Sequence, residues 1–167
     1  MIEADLFKLD LKETFDIAII AGYGDFHLLQ SLQDVEKAFI SLHKHLKQNG
    51  CLALELILPP KESCNYPKRT FYPRAPNYTD KKVWKENEGN YVADVKKQYI
   101  YQTIYIEDEK GIESFEQSTC LQYYDRNEII TLLNKCGFSI KNEYKNRNKN
   151  PWKQGDDTWI VEAIIID

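Results

Sequence analysis

The chain has 167 residues, 43% of them hydrophobic and 29% charged, which fits one folded domain of ordinary size. Twenty-two basic against 26 acidic side chains give a net charge of -4, which weighs against a nucleic-acid surface. No apolar run is long enough to span a bilayer.

The N-terminus has no basic segment leading into an apolar one. Cys51, Cys64, Cys120 and Cys136 lack C-x-x-C spacing. They read as reduced thiols of a cytoplasmic protein.

The first element in chain order is "FDIAII". Its apolar run Ile17 to Ile20 does not alternate, so the spacing predicts a central strand covered by helices on both faces. It opens into the small-residue loop "AGYGD". "SLQDVEKAFISLHKHLKQNG" then predicts a helix. Ser31 and Asp34 form a capping box, Val35, Phe39, Leu42 and Leu46 make an apolar stripe, and Asn49-Gly50 supplies the stop. His43 and His45 fall on its surface. "CLALELILPP" is a second apolar strand, so strand, helix and strand make a crossover with parallel strands.

Residues 61–95 carry Pro67, Pro73 and Pro76 among charges and aromatics, and read as an irregular excursion with a short helix. "QYIYQTIYIEDEKGIESFEQSTCLQYY" predicts an antiparallel hairpin turning at "EDEKG". Tyr99, Tyr101, Thr103 and Tyr105 lie on one face of it, and Ile100, Gln102, Ile104 and Ile106 on the other. "DRNEIITLLNKCG" predicts a helix capped by Asp125 and Glu128 and ended by Gly137. "FSIKNEY" and "DTWIVEAIIID" follow as strands, separated by the polar loop "KNRNKNPWKQGDD".

This order resembles the C-terminal part of the class I S-adenosylmethionine-dependent methyltransferases. "IEADLFKLDLKETFDIAII" is similar to the family's acidic residue after its third strand, a connector, and Phe-Asp opening the fourth. "AGYGDFHLL" is similar to the loop after that strand. "LHKHLKQNGCLALEL" is similar to the helix ending, turn and fifth strand, and "YYDRNEIITLLNKCGFSI" to the last helix and next strand. The resemblance implies an α/β fold. Its sheet would be a partial Rossmann-like one, parallel strands plus an antiparallel last strand, with an inserted antiparallel β-hairpin. It also implies one domain over residues 1–167 with an acceptor-covering insertion at 61–124. The small-molecule branch is the one with such an insertion.

The family's G-x-G-x-G loop has no counterpart in these 167 residues, nor has its ribose-binding acidic residue. The expectation is a truncated cofactor site.

By resemblance, the cofactor is S-adenosylmethionine. Asp5 and Leu6 would flank adenine, and Ala21, Gly22, Tyr23 and Phe26 would line the path of the methionine moiety. His27 is the candidate to orient an acceptor or act as a base; the plain alternative is a structural histidine. Tyr66, Arg69, Trp84, Tyr101, Tyr123 and Trp152 are candidates for an aromatic acceptor pocket, with packing as the alternative for each. The implied chemistry is in-line displacement at a methyl carbon, which requires no metal. A second reading is a non-enzymatic ligand- or partner-binding module derived from the same fold. With its first-strand neighbour missing, residues 15–21 should be an open apolar edge, and the chain should self-associate as a homodimer.

Overall fold

The computed structural model describes residues 3–22, 25–60, 65–72 and 81–166. They divide into two compact units, Met1–Pro59 with Gln122–Asp167, and Pro60–Leu121, each described by itself. In chain order the elements are β1 (Phe15–Ile20), α1 (Leu32–His43), β2 (Leu46–Ile57), β3 (Tyr66–Phe71), β4 (Lys82–Val92), β5 (Lys97–Asp108), β6 (Gly111–Gln122), α2 (Arg126–Lys135), β7 (Phe138–Tyr144) and β8 (Thr158–Ile165). Short 3-10 turns occupy Leu6–Lys8, Phe26–Leu28 and Ala93–Val95. No described helix is long and apolar enough to cross a membrane.

In the first unit the sheet order is β1-β2-β8-β7. β1 runs parallel to β2, with Ala18 opposite Leu52 and Ile20 opposite Leu54. β8 is antiparallel to β2, and β7 antiparallel to β8. The parallel pair and the antiparallel last strand are as the sequence predicts.

The helix caps follow their sequence signals. Ser31 Oγ accepts the Asp34 N–H at 3.1 Å and donates to Asp34 Oδ2 at 2.7 Å. The aspartate thus meets the serine hydroxyl and not its backbone, a variant of the expected box. At α2, Glu128 accepts the Asp125 N–H at 2.7 Å and completes the predicted capping box.

Helix α1 ends at His43, six residues before the expected Asn49-Gly50 stop. His45 is the cause. It is buried, its Nε2 accepts the Leu11 N–H at 3.0 Å, and its Nδ1 donates to the Ser41 carbonyl at 2.8 Å. These bonds turn the chain out of the helix and remove His45 from the helix surface where periodicity put it. Asn49, at φ 62°, instead sits inside β2, where the register against β1 slips between Phe15 and Ile17.

One core fills this unit. Leu52, Leu54, Leu56, Val161, Ala163 and Ile165 of the sheet pack with Val35, Phe39, Ile129 and Leu133 of the two helices. Ala18 and Ile20 join it, whereas Ile17 is 51% and Ile19 63% exposed. The expectation that β1 is covered on both faces is therefore corrected. Strand alternation sends Ala18 and Ile20 one way and Ile17 and Ile19 the other, and both described helices lie on the Ala18 side.

The second unit is a four-stranded sheet in the order β3-β4-β5-β6. The expected hairpin is present as β5 and β6, and β3 and β4 take the place of the irregular excursion expected over residues 61–95. β4 pairs with β5 over eleven residues, Lys82 opposite Glu107 through Val92 opposite Lys97, and β3 adds antiparallel to β4. Some polar side chains pair across these strands, although the buried Asn87 Oδ1 on β4 has no hydrogen-bond partner among the described residues. Lys82 bonds Glu107 at 3.1 Å, and the Tyr105 hydroxyl donates to Glu86 at 2.9 Å. The β5–β6 turn falls where predicted, with the Lys110 N–H on Asp108 Oδ1 at 2.8 Å.

Gly89 is required by close approach. The Tyr66 ring lies across it, and a Cβ there would stand 2.2 Å from Tyr66 Cε1. Gly89→Ala is expected to lower stability by about 1–3 kcal/mol, the range for overpacking. In a Tyr66→Ala background it should be nearly neutral. Thermal melts of the three variants check this; an equal loss in both backgrounds would exclude the contact as its cause.

Candidate functional site

The carboxyl ends of parallel strands are where open α/β sheets place ligands, because helix N-termini and loops converge there. Here β1 ends at Ile20, and the chain passes through Ala21 and Gly22 before the turn at Phe26–Leu28. Ala21 is exposed. Gly22 has φ +116°, and a Cβ on it would be strained and 3.2 Å from Asp25 Oδ2. A small, exposed backbone corner of this kind lets a ligand approach closely. Tyr23 lies outside the described residues.

Three side chains hold this corner. Phe26 is 1% exposed, packing against Phe39 with centroids 6.1 Å apart and edge-on to Tyr124 at 5.9 Å. It supports the loop from beneath, within the core. The Tyr124 hydroxyl donates to the Leu29 carbonyl at 2.5 Å, and burial pushes its phenol well above the ordinary value.

His27 is fully buried. Its Nε2 accepts the Ile57 N–H at 3.1 Å, which leaves the proton on Nδ1 to donate to the Gln122 carbonyl at 2.9 Å. Burial holds its pKa below the ordinary 6.5, only partly offset by the Gln122 bond. Both nitrogens of this neutral ring are engaged by the protein's own backbone. The Tyr123 ring sits 4.9 Å away, itself buried.

The third is Glu55, which sequence reading passed over. It is 4% exposed, near the end of β2. Its Oε2 accepts the Gly22 N–H at 3.1 Å and Arg147 Nη2 at 2.7 Å, and its Oε1 accepts Arg147 Nε at 3.1 Å. The Arg147 guanidinium, and secondarily the Gly22 amide, hold its carboxyl below the usual glutamate range. A lone acid in the apolar run "LALELIL" is the signal that marks it.

Asp5 is exposed and caps the first 3-10 turn, accepting the Phe7 N–H at 2.9 Å; Leu6 packs on the core. Trp152 lies over the Arg126 guanidinium at 4.7 Å, and Arg126 also pairs with Glu143 and faces Trp159.

In the second unit, Trp84 stacks on Tyr105 at 5.0 Å. Tyr101 shares that sheet face and lines a groove of about 400 Å³ with Lys68, Glu86, Glu88 and Glu116. Tyr66 and Arg69 sit on the opposite face, the guanidinium 5.7 Å from the ring. These four residues are therefore split between two faces of one sheet and do not close a single cage.

No protein-family profile matches the sequence, and no curated protein matches it. Solved structures do. An S-adenosylmethionine-dependent methyltransferase from Clostridium acetobutylicum superposes with a TM-score of 0.74 at 14% identity, over 98% of this chain and 63% of its own. A sugar N-methyltransferase from Streptoalloteichus gives 0.74 at 14% identity, over 95% and 60%. An amino pentose methyltransferase from Micromonospora echinaspora, solved with S-adenosylmethionine bound, gives 0.70 at 18% identity, over 98% and 63%. The chain thus spans about three-fifths of the length of these structures, and across that span its fold is that of the S-adenosylmethionine-dependent methyltransferases.

Proposed function

We propose that this chain serves S-adenosylmethionine-dependent methyl transfer to a small-molecule acceptor in the cytoplasm. The observation that carries the reading is the exposed Ala21–Gly22 corner at the carboxyl end of β1, in a fold shared with such enzymes. Gly22, with no side chain, leaves room for a ligand against the backbone, and Asp5 and Leu6 are assigned to the adenine end. When bound, the cofactor supplies a methyl group on a sulfonium that is already a good leaving group. The chain's own residues align the partners and exclude water. His27 acts here by anchoring the loop, since neither ring nitrogen is available for an acceptor proton.

The test is a nitrogen-15 NMR titration with S-adenosylmethionine to tens of millimolar, the range that weak binding requires. Amide shifts centred on Ala21, Gly22 and Leu6 are expected. Shifts confined to other parts of the chain, or none at all, would exclude the reading.

The same reading includes self-association. β1 closes the sheet on one side, and among the described residues no strand covers its outer edge. With Ile17 and Ile19 more than half exposed, a two-fold pairing of two copies across this edge buries both. Sedimentation is expected to show a dimer that Ile19→Lys shifts to monomer, a change an exposed side chain tolerates without unfolding. Wild-type protein that stays monomeric at high concentration would overturn the dimer.

A further inference from the structure

We propose that Glu55 and Arg147 are positioning residues that latch the loop after β1 and aim its backbone at the donor; this rests on the reading of that loop as donor-binding. Strand alternation puts Glu55 on the sheet face that carries no described helix, beside Ala53 and Cys51 in sequence register. A carboxylate there would ordinarily be hydrated. It is instead 4% exposed, and a buried carboxylate is tolerated only when charge and hydrogen bonds compensate it. Arg147 supplies the charge through a two-point contact, reaching in from the loop between β7 and β8, with its own side chain 68% exposed. The remaining partner is the Gly22 amide.

Three segments distant in sequence therefore meet on one carboxylate. The bond fixes a peptide plane. Because a trans peptide points its N–H and C=O in opposite directions, anchoring the Gly22 N–H on Glu55 directs the Ala21 carbonyl away from it. A fixed carbonyl dipole turned outward from this corner suits the positive charge of a sulfonium or ammonium group. Gly22 is held at φ +116°, so the corner would relax to other conformations if the anchor were lost.

Ligand-free amide hydrogen exchange on wild type, Glu55→Gln and Arg147→Gln tests the latch. Arg147 is largely exposed, so its variant should keep the wild-type melting temperature to within a few degrees. Gly22 exchange should nevertheless rise at least tenfold in both variants, with Leu54 and Val161 amides unchanged. Arg147→Lys, which keeps the charge but not the two-point contact, should fall between. In the donor titration the Ala21 and Gly22 shifts should need at least fivefold more ligand in both glutamine variants. Gly22 exchange that stays within twofold of wild type, or rises together with the core amides, overturns the proposal. That arm contains no donor, so its failure is distinct from failure of the methyl-transfer reading, which would appear as absent Ala21 and Gly22 shifts in wild type.

Discussion

Calorimetric titration of the chain with S-adenosylmethionine is expected to give a dissociation constant of about 0.2–30 mM. In the family that the sequence resembles, a glycine-rich loop and an acidic residue on the ribose supply part of the cofactor's contacts, and neither is present in these 167 residues. Two charge-assisted hydrogen bonds are worth about 1.5–3 kcal/mol each. Removing about 3–6 kcal/mol from a micromolar site of about -8 kcal/mol leaves about -5 to -2 kcal/mol. The contact proposed at Ala21 and Gly22 is expected to be localised and weak. Low-micromolar binding would overturn this expectation and show that the chain holds the cofactor by other contacts.

Replacing His27 with alanine is expected to cost about 3–5 kcal/mol of folding stability. The ring is fully buried, and its loss strands the Ile57 N–H and the Gln122 carbonyl. An unsatisfied buried group costs about 1–3 kcal/mol, and the cavity adds to that. Glutamine carries an NH2 donor group and a carbonyl acceptor, so His27→Gln should recover about half of the loss.

Wild type also separates from both substitutions by pH, since each removes the titrating ring. Folding holds the His27 pKa below its unfolded 6.5. Between those values the unfolded chain binds a proton that the folded chain does not, so stability falls as pH drops below about 6.5 and is fully present above it. Urea unfolding between pH 5 and 7.5 should show this slope in wild type and a shallower one in His27→Gln. An alanine variant within about 1 kcal/mol of wild type, or equal slopes in wild type and His27→Gln, would refute the buried neutral ring.

The parallel unit was legible because its signals are local. The apolar runs of β1 and β2, Ser31 before α1, and Asp125 with Glu128 before α2 each announce themselves within a few residues. β4 was not legible. "KVWKENEGNYV" mixes charges and a glycine into its alternation, and Glu86 and Lys82 find their partners on other strands, Lys68 on β3 and Tyr105 and Glu107 on β5. The residues that shape the candidate site were hidden for a related reason. Glu55 finds Arg147 92 positions later, and His27 finds Gln122 95 positions later. Pairings of that range leave no periodicity in the sequence. The early end of α1 belongs with them, since His45 trades helix for a bond to Leu11, 34 residues back.

The bond pattern of His27 bears on how such a chain is assembled and diversified. Ile57 and Gln122 are the residues at which the main chain departs toward the inserted sheet and returns from it, and one imidazole holds both. The two points in the first unit that bracket the 62 residues Pro60–Leu121 are therefore held together, like a closed neck. Closing a loop costs little more as the loop lengthens, roughly 0.6 kcal/mol per doubling, so the neck is nearly indifferent to what it carries. The inserted sheet is free to be lengthened, shortened or exchanged wholesale while the parallel unit keeps its pairing of β2 with β8. Replacement of the insertion is then expected to leave the first unit's fold in place so long as His27 stays.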